Sequence, residues 1–221
     1  MAEELHTLAE RLEIGGVPCR LRVPQREGAH PLLLMLHGYE GDEDVTWIFS
    51  RAASPEWLIV SPRAPLTAPT SQGYSWFNFE GGKTDPTTLQ AALSYLDAFI
   101  AALKARYRID DARMVMLGFS QGASMAYAYM LAEPTRLRGV VSLGGFIPGY
   151  LTKQIIPPLN GLPVLILHGT QDEVIAVEIA RKNRDLLLAH GAQVTFFEEA
   201  VGHRVGAGGM RLLTEWLAER L

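Results

Sequence analysis

The 221-residue sequence predicts a three-layer α/β fold: a mostly parallel central sheet, helices on both faces, and an antiparallel hairpin at the N-terminal edge. Three observations carry this. Unbroken apolar runs recur at 31–36, 57–60, 114–117 and 163–167, each long enough for a strand buried on both faces and too short for a helix. Segments with helical spacing alternate with them, most clearly at 89–103 and 177–188. The apolar runs end in turns rich in Gly, His, Ser and Asp. Residues 1–221 are expected to form one domain, a length that suits a single α/β core.

Composition narrows the function classes. A net charge of −4 gives no electrostatic reason to expect nucleic acid or an anionic membrane surface as partner. The longest uncharged window, 114–132, is interrupted by two glycines, two serines and a glutamine, so it predicts strand plus helix and no stable membrane insertion. One cysteine, Cys19, leaves no intramolecular disulfide and no Cys-rich metal site. The acidic, polar start lacks a signal peptide's basic and apolar regions, so a cytoplasmic location is expected.

Taken in order, residues 5–14 and 18–23 predict two strands joined at Gly15-Gly16. The strand at 31–36 leads into His37-Gly38-Tyr39-Glu40-Gly41. A short helix is expected at 47–53 and a strand at 57–60, which ends in Ser61-Pro-Arg-Ala-Pro65 and is followed by an uncharged loop to Phe79. Asp85-Pro86 is a helix start, an acidic cap followed by proline at the first helical position. Leu89, Leu93, Leu96, Phe99, Ile100 and Leu103 then recur at helical spacing. Strands are expected at 137–143, 163–167 and 194–197, with helices at 123–132, 177–188 and 210–221.

The chemistry concentrates at Gly118-Phe119-Ser120-Gln121-Gly122, a G-x-S-x-G between a buried-type strand and an alanine-rich helix. A serine at the apex of so tight a turn is strained. Glycines two positions either side remove the side chains that would collide there. Ser120 is therefore a candidate nucleophile. Asp172 and His203 follow it, each after a later predicted strand, so all three fall at one edge of the sheet. Serine, acid and histidine in that order suit a triad. His203 would take the Ser120 proton and Asp172 would orient the imidazole. Glu173 is the competing acid; a short acid directly after the His168-Gly169-Thr170 turn favours Asp172. The backbone N–H groups of Tyr39 and Gln121 are candidate oxyanion donors. Trp76, Phe77 and Phe146, in loops at strand ends, are candidate pocket walls; aromatics in such loops also serve as plugs. His37 and His168 are expected to bond within their loops, and His6, His30 and His190 to lie at the surface. A zinc site from His37, His168 and Asp172 lacks any recognisable ligand spacing, and no metal is expected.

Together these residues resemble the phospholipase/carboxylesterase family of α/β-hydrolases, which includes acyl-protein thioesterases and small bacterial carboxylesterases. The matching segments are Leu36 to Gly41, Ser61-Pro-Arg-Ala-Pro65, Gly73-Tyr-Ser-Trp-Phe77, Gly118 to Gly122, Ser142 to Pro148, His168 to Asp172, and Gly202-His203. They run in family order from about residue 31 to the C-terminus. The resemblance implies the α/β-hydrolase fold and a cofactor-free cytoplasmic enzyme acting on small-molecule carboxylic esters or thioesters. Homodimers are common in the family. Two segments depart from it: Tyr39-Glu40-Gly41 stands where the family often has Gly-Leu-Gly-Asp-like residues, and Val174-Ile175-Ala176 lacks the proline often found after the acid.

The expected function is a serine carboxylesterase working through an acyl-enzyme. A lysophospholipase or acyl-protein thioesterase with a long acyl groove is the alternative within the class. A non-catalytic ligand-binding protein on the same scaffold is the alternative outside it.

Overall fold

The computed structural model describes residues 9–69 and 72–221. Eight strands form one sheet: β1 Glu10–Ile14, β2 Val17–Arg22, β3 His30–Leu36, β4 Leu58–Pro62, β5 Ile109–Phe119, β6 Gly139–Leu143, β7 Pro163–Gly169 and β8 Gln193–Glu199. Their order across the sheet is β1-β2-β4-β3-β5-β6-β7-β8. β1 and β2 pair antiparallel, and β2 joins β4 antiparallel. Every other neighbour pairs parallel. The hairpin turn is Gly15-Gly16, with φ of 59° and 81°. Two successive positive φ values give the turn whose twist matches flanking strands, and glycine adopts them without strain. The start expected for the first strand, at 5–8, lies outside the described residues.

Among the described residues four α-helices cover the sheet: α1 Pro86–Arg106, α2 Gln121–Ala132, α3 Val177–Ala189 and α4 Ala207–Ala218. The side chains of β3 show how strand alternation builds two cores. Leu32, Leu34 and Leu36 point to a cluster with α1 and α2 residues such as Phe99 and Met125. Leu33 and Met35 point the other way, to Phe49, Leu213 and Trp216. All five β3 residues are fully buried, worth about 1.5–3 kcal/mol each. The first cap is as expected: Asp85 accepts the Thr87 amide at 2.9 Å and the Thr88 amide at 3.4 Å.

The structure departs from expectation in several places. The helix at 47–53 is a 3-10 helix, Val45–Ala52. The loop before α1 holds two short ladders, Leu66–Thr67 with Tyr74–Ser75 and Phe79–Glu80 with Lys83–Thr84, too short to leave a periodic signal. β5 begins five residues before its apolar run, on the half-polar segment 109–113. His30 is buried, not at the surface, because it opens β3 and its amide bonds the Arg108 carbonyl at 2.8 Å.

Candidate active site

β5 delivers Phe119 and Ser120 to the carboxyl edge of the sheet, and α2 begins at Gln121. Ser120 has φ 52° and ψ −115°. Such a conformation costs about 1–3 kcal/mol for a non-glycine residue, and the surroundings impose it. Its amide bonds the Leu143 carbonyl at 2.9 Å, and its carbonyl accepts the Ala123 and Ser124 amides. The two flanking glycines are required by close approach. A Cβ on Gly118 would overlap the Gly122 carbonyl, and a Cβ on Gly122 would overlap the carbonyls of Leu36 and His37. Gly122 thereby also seats the elbow on the loop after β3.

The loop after β7 supplies Asp172 and the segment after β8 supplies His203. His203 Nδ1 lies 2.7 Å from Asp172 Oδ2. Asp172 Oδ1 accepts the Val174 and Ile175 amides, both at 2.9 Å. The Asp172 side chain is 1% exposed. Burial would raise its pKa, but the two amides and His203 outweigh that and hold it below the usual carboxylate range. A carboxylate there fixes the imidazole tautomer. Nδ1 carries the proton and Nε2 is left to accept one. The His203 ring rests on Phe119, centroids 5.0 Å apart. Glu173, the competing acid, is exposed.

The loop after β3 packs beside the serine, for a Cβ built on Gly38 would stand 3.4 Å from Ser120 Cβ. Within the described residues, neither the Tyr39 nor the Gln121 amide donates a backbone hydrogen bond. Tyr39 itself is held on both sides: the Glu40 amide bonds the Tyr74 carbonyl and the Gly41 amide the Gly38 carbonyl.

His168 bonds within its loop, as expected; His37 does so through Nδ1 but reaches the loop after β4 through Nε2. His37 Nδ1 donates to the Gly38 carbonyl at 2.7 Å and Nε2 accepts the Ala64 amide at 3.0 Å. His168 Nε2 lies 2.7 Å from the Ile175 carbonyl and 3.4 Å from Asp172 Oδ2, beneath the acid. Among the described residues no three His, Cys, Asp or Glu side chains gather as a metal site.

The aromatic candidates divide. Trp76 and Phe77 are fully buried and belong to the main core cluster, so they do not face a cleft. The physical reason is their polar anchoring: Trp76 Nε1 donates to the His37 carbonyl at 2.8 Å, and its amide bonds Gln121 Oε1 at 2.9 Å. Phe146 is half-buried and lines a cleft of about 750 Å³ with Phe79 and Tyr150. The sequence reading missed Phe79. Its ring stands 6.4 Å from both Tyr39 and Phe146, with Phe77 beneath at 5.4 Å. It also missed the side chain of Gln121, whose Nε2 donates to the Phe77 carbonyl at 2.8 Å and to Ser75 Oγ at 3.0 Å. Only the position of Gln121 in the elbow motif pointed to it. Arg63, in the Ser61-Pro-Arg-Ala-Pro65 segment, has a scaffold role: it binds Glu43 through two bonds of 2.7 Å and Tyr74 OH at 3.1 Å.

The strand order, the elbow between β5 and α2, and a histidine and acid placed after β8 and β7 define an α/β-hydrolase. The chain belongs to the Phospholipase/Carboxylesterase family, whose model matches residues 21–220. It is similar to acyl-protein thioesterase 1 homolog 1 of Dictyostelium discoideum, 27% identical over 86% of this chain and 90% of that protein. Among solved structures it resembles the Bacillus cereus carboxylesterase, with a TM-score of 0.82 at 23% identity over 93% of this chain and 95% of that one. The Mesorhizobium loti carboxylesterase gives 0.81 at 24% identity, over 95% and 98%. At those identities the structures speak for the fold. Membership of the family makes the chain an esterase-type hydrolase.

Proposed function

We propose that the protein is a serine carboxylesterase hydrolysing carboxylic esters, thioesters included, within one domain and through an acyl-enzyme. The observation that carries this is the 2.7 Å contact of His203 Nδ1 with a buried, fully bonded Asp172 carboxylate at the sheet edge that holds Ser120.

In this reading Ser120 Oγ attacks the carbonyl carbon as its proton passes to His203 Nε2. The carbonyl oxygen gains charge and is received by the Tyr39 and Gln121 amides, each such donor worth about 2.7–4 kcal/mol of barrier. When the tetrahedral intermediate collapses, the proton goes from Nε2 to the departing oxygen or sulfur. Water then attacks the acyl-enzyme with His203 again as base, and the acid is released. Asp172 stabilises the imidazolium in both halves. None of these steps calls on a cofactor. Phe79, Phe146 and Tyr39 form the proposed acyl wall, in place of Trp76 and Phe77.

A second reading, an acyl-protein thioesterase or lysophospholipase taking a long chain, draws on the cleft beside Phe79 and Phe146, although Glu80, Lys83, Asp85 and Lys153 also line it and no triad residue does. The names of the thioesterase relatives point the same way.

The deciding experiment uses a serine-reactive phosphonate probe and a series of aryl esters and thioesters of increasing acyl length. Labelling of the wild type and its loss in Ser120→Ala, together with loss of turnover, are expected. Wild-type turnover by Ser120→Ala overturns the reading; absent labelling of wild type would favour a binding protein. A preference confined to the shortest chains removes the long-groove alternative.

A further inference from the structure

On the His203 side of Ser120 lies a second cleft, of about 360 Å³, that the steps above leave unused. Val45, Ile48, Phe49, Phe119, Val205 and Met210 give it apolar walls. Val45 and Ile48 are 52% and 53% exposed on the 3-10 helix, a place where surface residues are usually polar. Phe119 is the partition. Its ring stands 5.0 Å from His203 on one side and 6.3 Å from Phe49 on the other. Arg51 and Arg204 border the same cleft, and neither has an ion-pair or hydrogen-bond partner for its guanidinium among the described residues. The acids on the nearby loop are committed elsewhere, Glu43 to Arg63 and Asp44 to Arg11 and Arg20.

The direction of the reaction tells which half of an ester this cleft can serve. His203 must hand its proton to the departing atom, so the departing group leaves past the imidazole. The next two residues after His203, and the ring it rests on, are the near walls of this cleft. The Tyr39, Phe79 and Phe146 cluster provides the other apolar surface for the acyl chain.

We infer that the Val45–Ile48–Met210 cleft receives the alcohol or thiol half of the substrate, and that this half is an amphiphile ending in a carboxylate or phosphate bound by Arg51 and Arg204. The apolar segment covers Val45 and Ile48; the anionic end gives the Arg51 and Arg204 guanidiniums charge-assisted bonds. The inference takes its direction from the serine-esterase reading, but the cleft's ligand can be tested without turnover.

The test measures calorimetric binding of a medium-chain ω-hydroxy fatty acid and of the matching neutral fatty alcohol to the intact wild-type protein. The hydroxy acid is expected to bind about tenfold more tightly, and the gap to close in R51A/R204A and at high salt. Equal affinities, or a gap that survives removal of both arginines, overturn the inference. So does failure of both ligands to bind because a second copy of the chain covers the cleft. Hydrolysis then fixes the direction. Esters with the carboxylate at the end of the alcohol half are preferred over isomers that carry it on the acyl half; the reverse preference overturns the assignment. A protein that binds the hydroxy acid as described but keeps wild-type turnover without Ser120 would retain the cleft and lose the nucleophile.

Discussion

Gln121 Oε1 accepts the Trp76 amide at 2.9 Å, so the residue whose own amide is the proposed oxyanion donor also anchors the loop beneath the proposed acyl wall. Its Nε2 holds the Phe77 carbonyl and Ser75 Oγ as well. The loop and the elbow are thus one rigid unit.

Gln121→Leu keeps the volume and removes all these partners. It leaves the buried Trp76 amide unpaired, at about 1–3 kcal/mol, while the Phe77 carbonyl keeps its bond from Ser75 Oγ at 2.7 Å. Urea unfolding is expected to show a loss of roughly 1–3 kcal/mol. Because the 121 amide shifts with its side chain, kcat falls while KM changes little. Unchanged stability would refute the clamp.

Asp172→Asn should lower kcat by about 10³–10⁴-fold with little change in folding stability. Asp172 Oδ1 is committed to the Val174 and Ile175 amides, so the oxygen of an asparagine stays there. Its NH₂ then faces His203 Nδ1 and forces the proton onto Nε2, the wrong tautomer for a base. Glu173→Gln, at an exposed position, should leave kcat unaltered. A large loss in the second variant and none in the first would exchange their roles.

Stability should fall in mild acid because of His37. Burial pushes its imidazole below the ordinary value of about 6.5, opposed by its bond to the Gly38 carbonyl. Protonated, Nε2–H would point at the Ala64 amide it now accepts from. His30 is lowered too, by burial and then by Arg26 and Arg108. As pH drops through about 6.5 the unfolded chain binds these protons and the folded chain does not, so stability is lost toward lower pH. The slope per histidine is at most about 1.4 kcal/mol per pH unit. His37→Gln, which can still donate and accept, should flatten the curve between about pH 7 and pH 5 by up to one proton. An unaltered slope counts against the assignment.

Much of this molecule is legible in the sequence because its strands are buried on both faces. The run at 31–36 has no polar residue to confuse with a turn, and β3 occupies His30–Leu36. The elbow is legible for a steric reason: only glycine fits where Gly118 and Gly122 meet neighbouring carbonyls. Side-chain partnerships across long separations are not legible in this way. Gln121 to Trp76 spans 45 positions, and no local pattern distinguishes an aromatic pinned in the core from one lining a cleft. Phe79 escaped notice for the same reason, since its place beside Tyr39 and Phe146 depends on how three loops stack.

Cys19, the sole thiol, lies on β2 at 1% exposure, and burial pushes it up to about 11. At neutral pH it is both shielded and almost wholly un-ionised, so alkylating reagents should pass it by. The wild-type chain is therefore a ready background for spectroscopy. A cysteine introduced at Ile48 or Phe79 would be the only site to accept a fluorophore or spin label, and would report on either cleft without first removing the native cysteine.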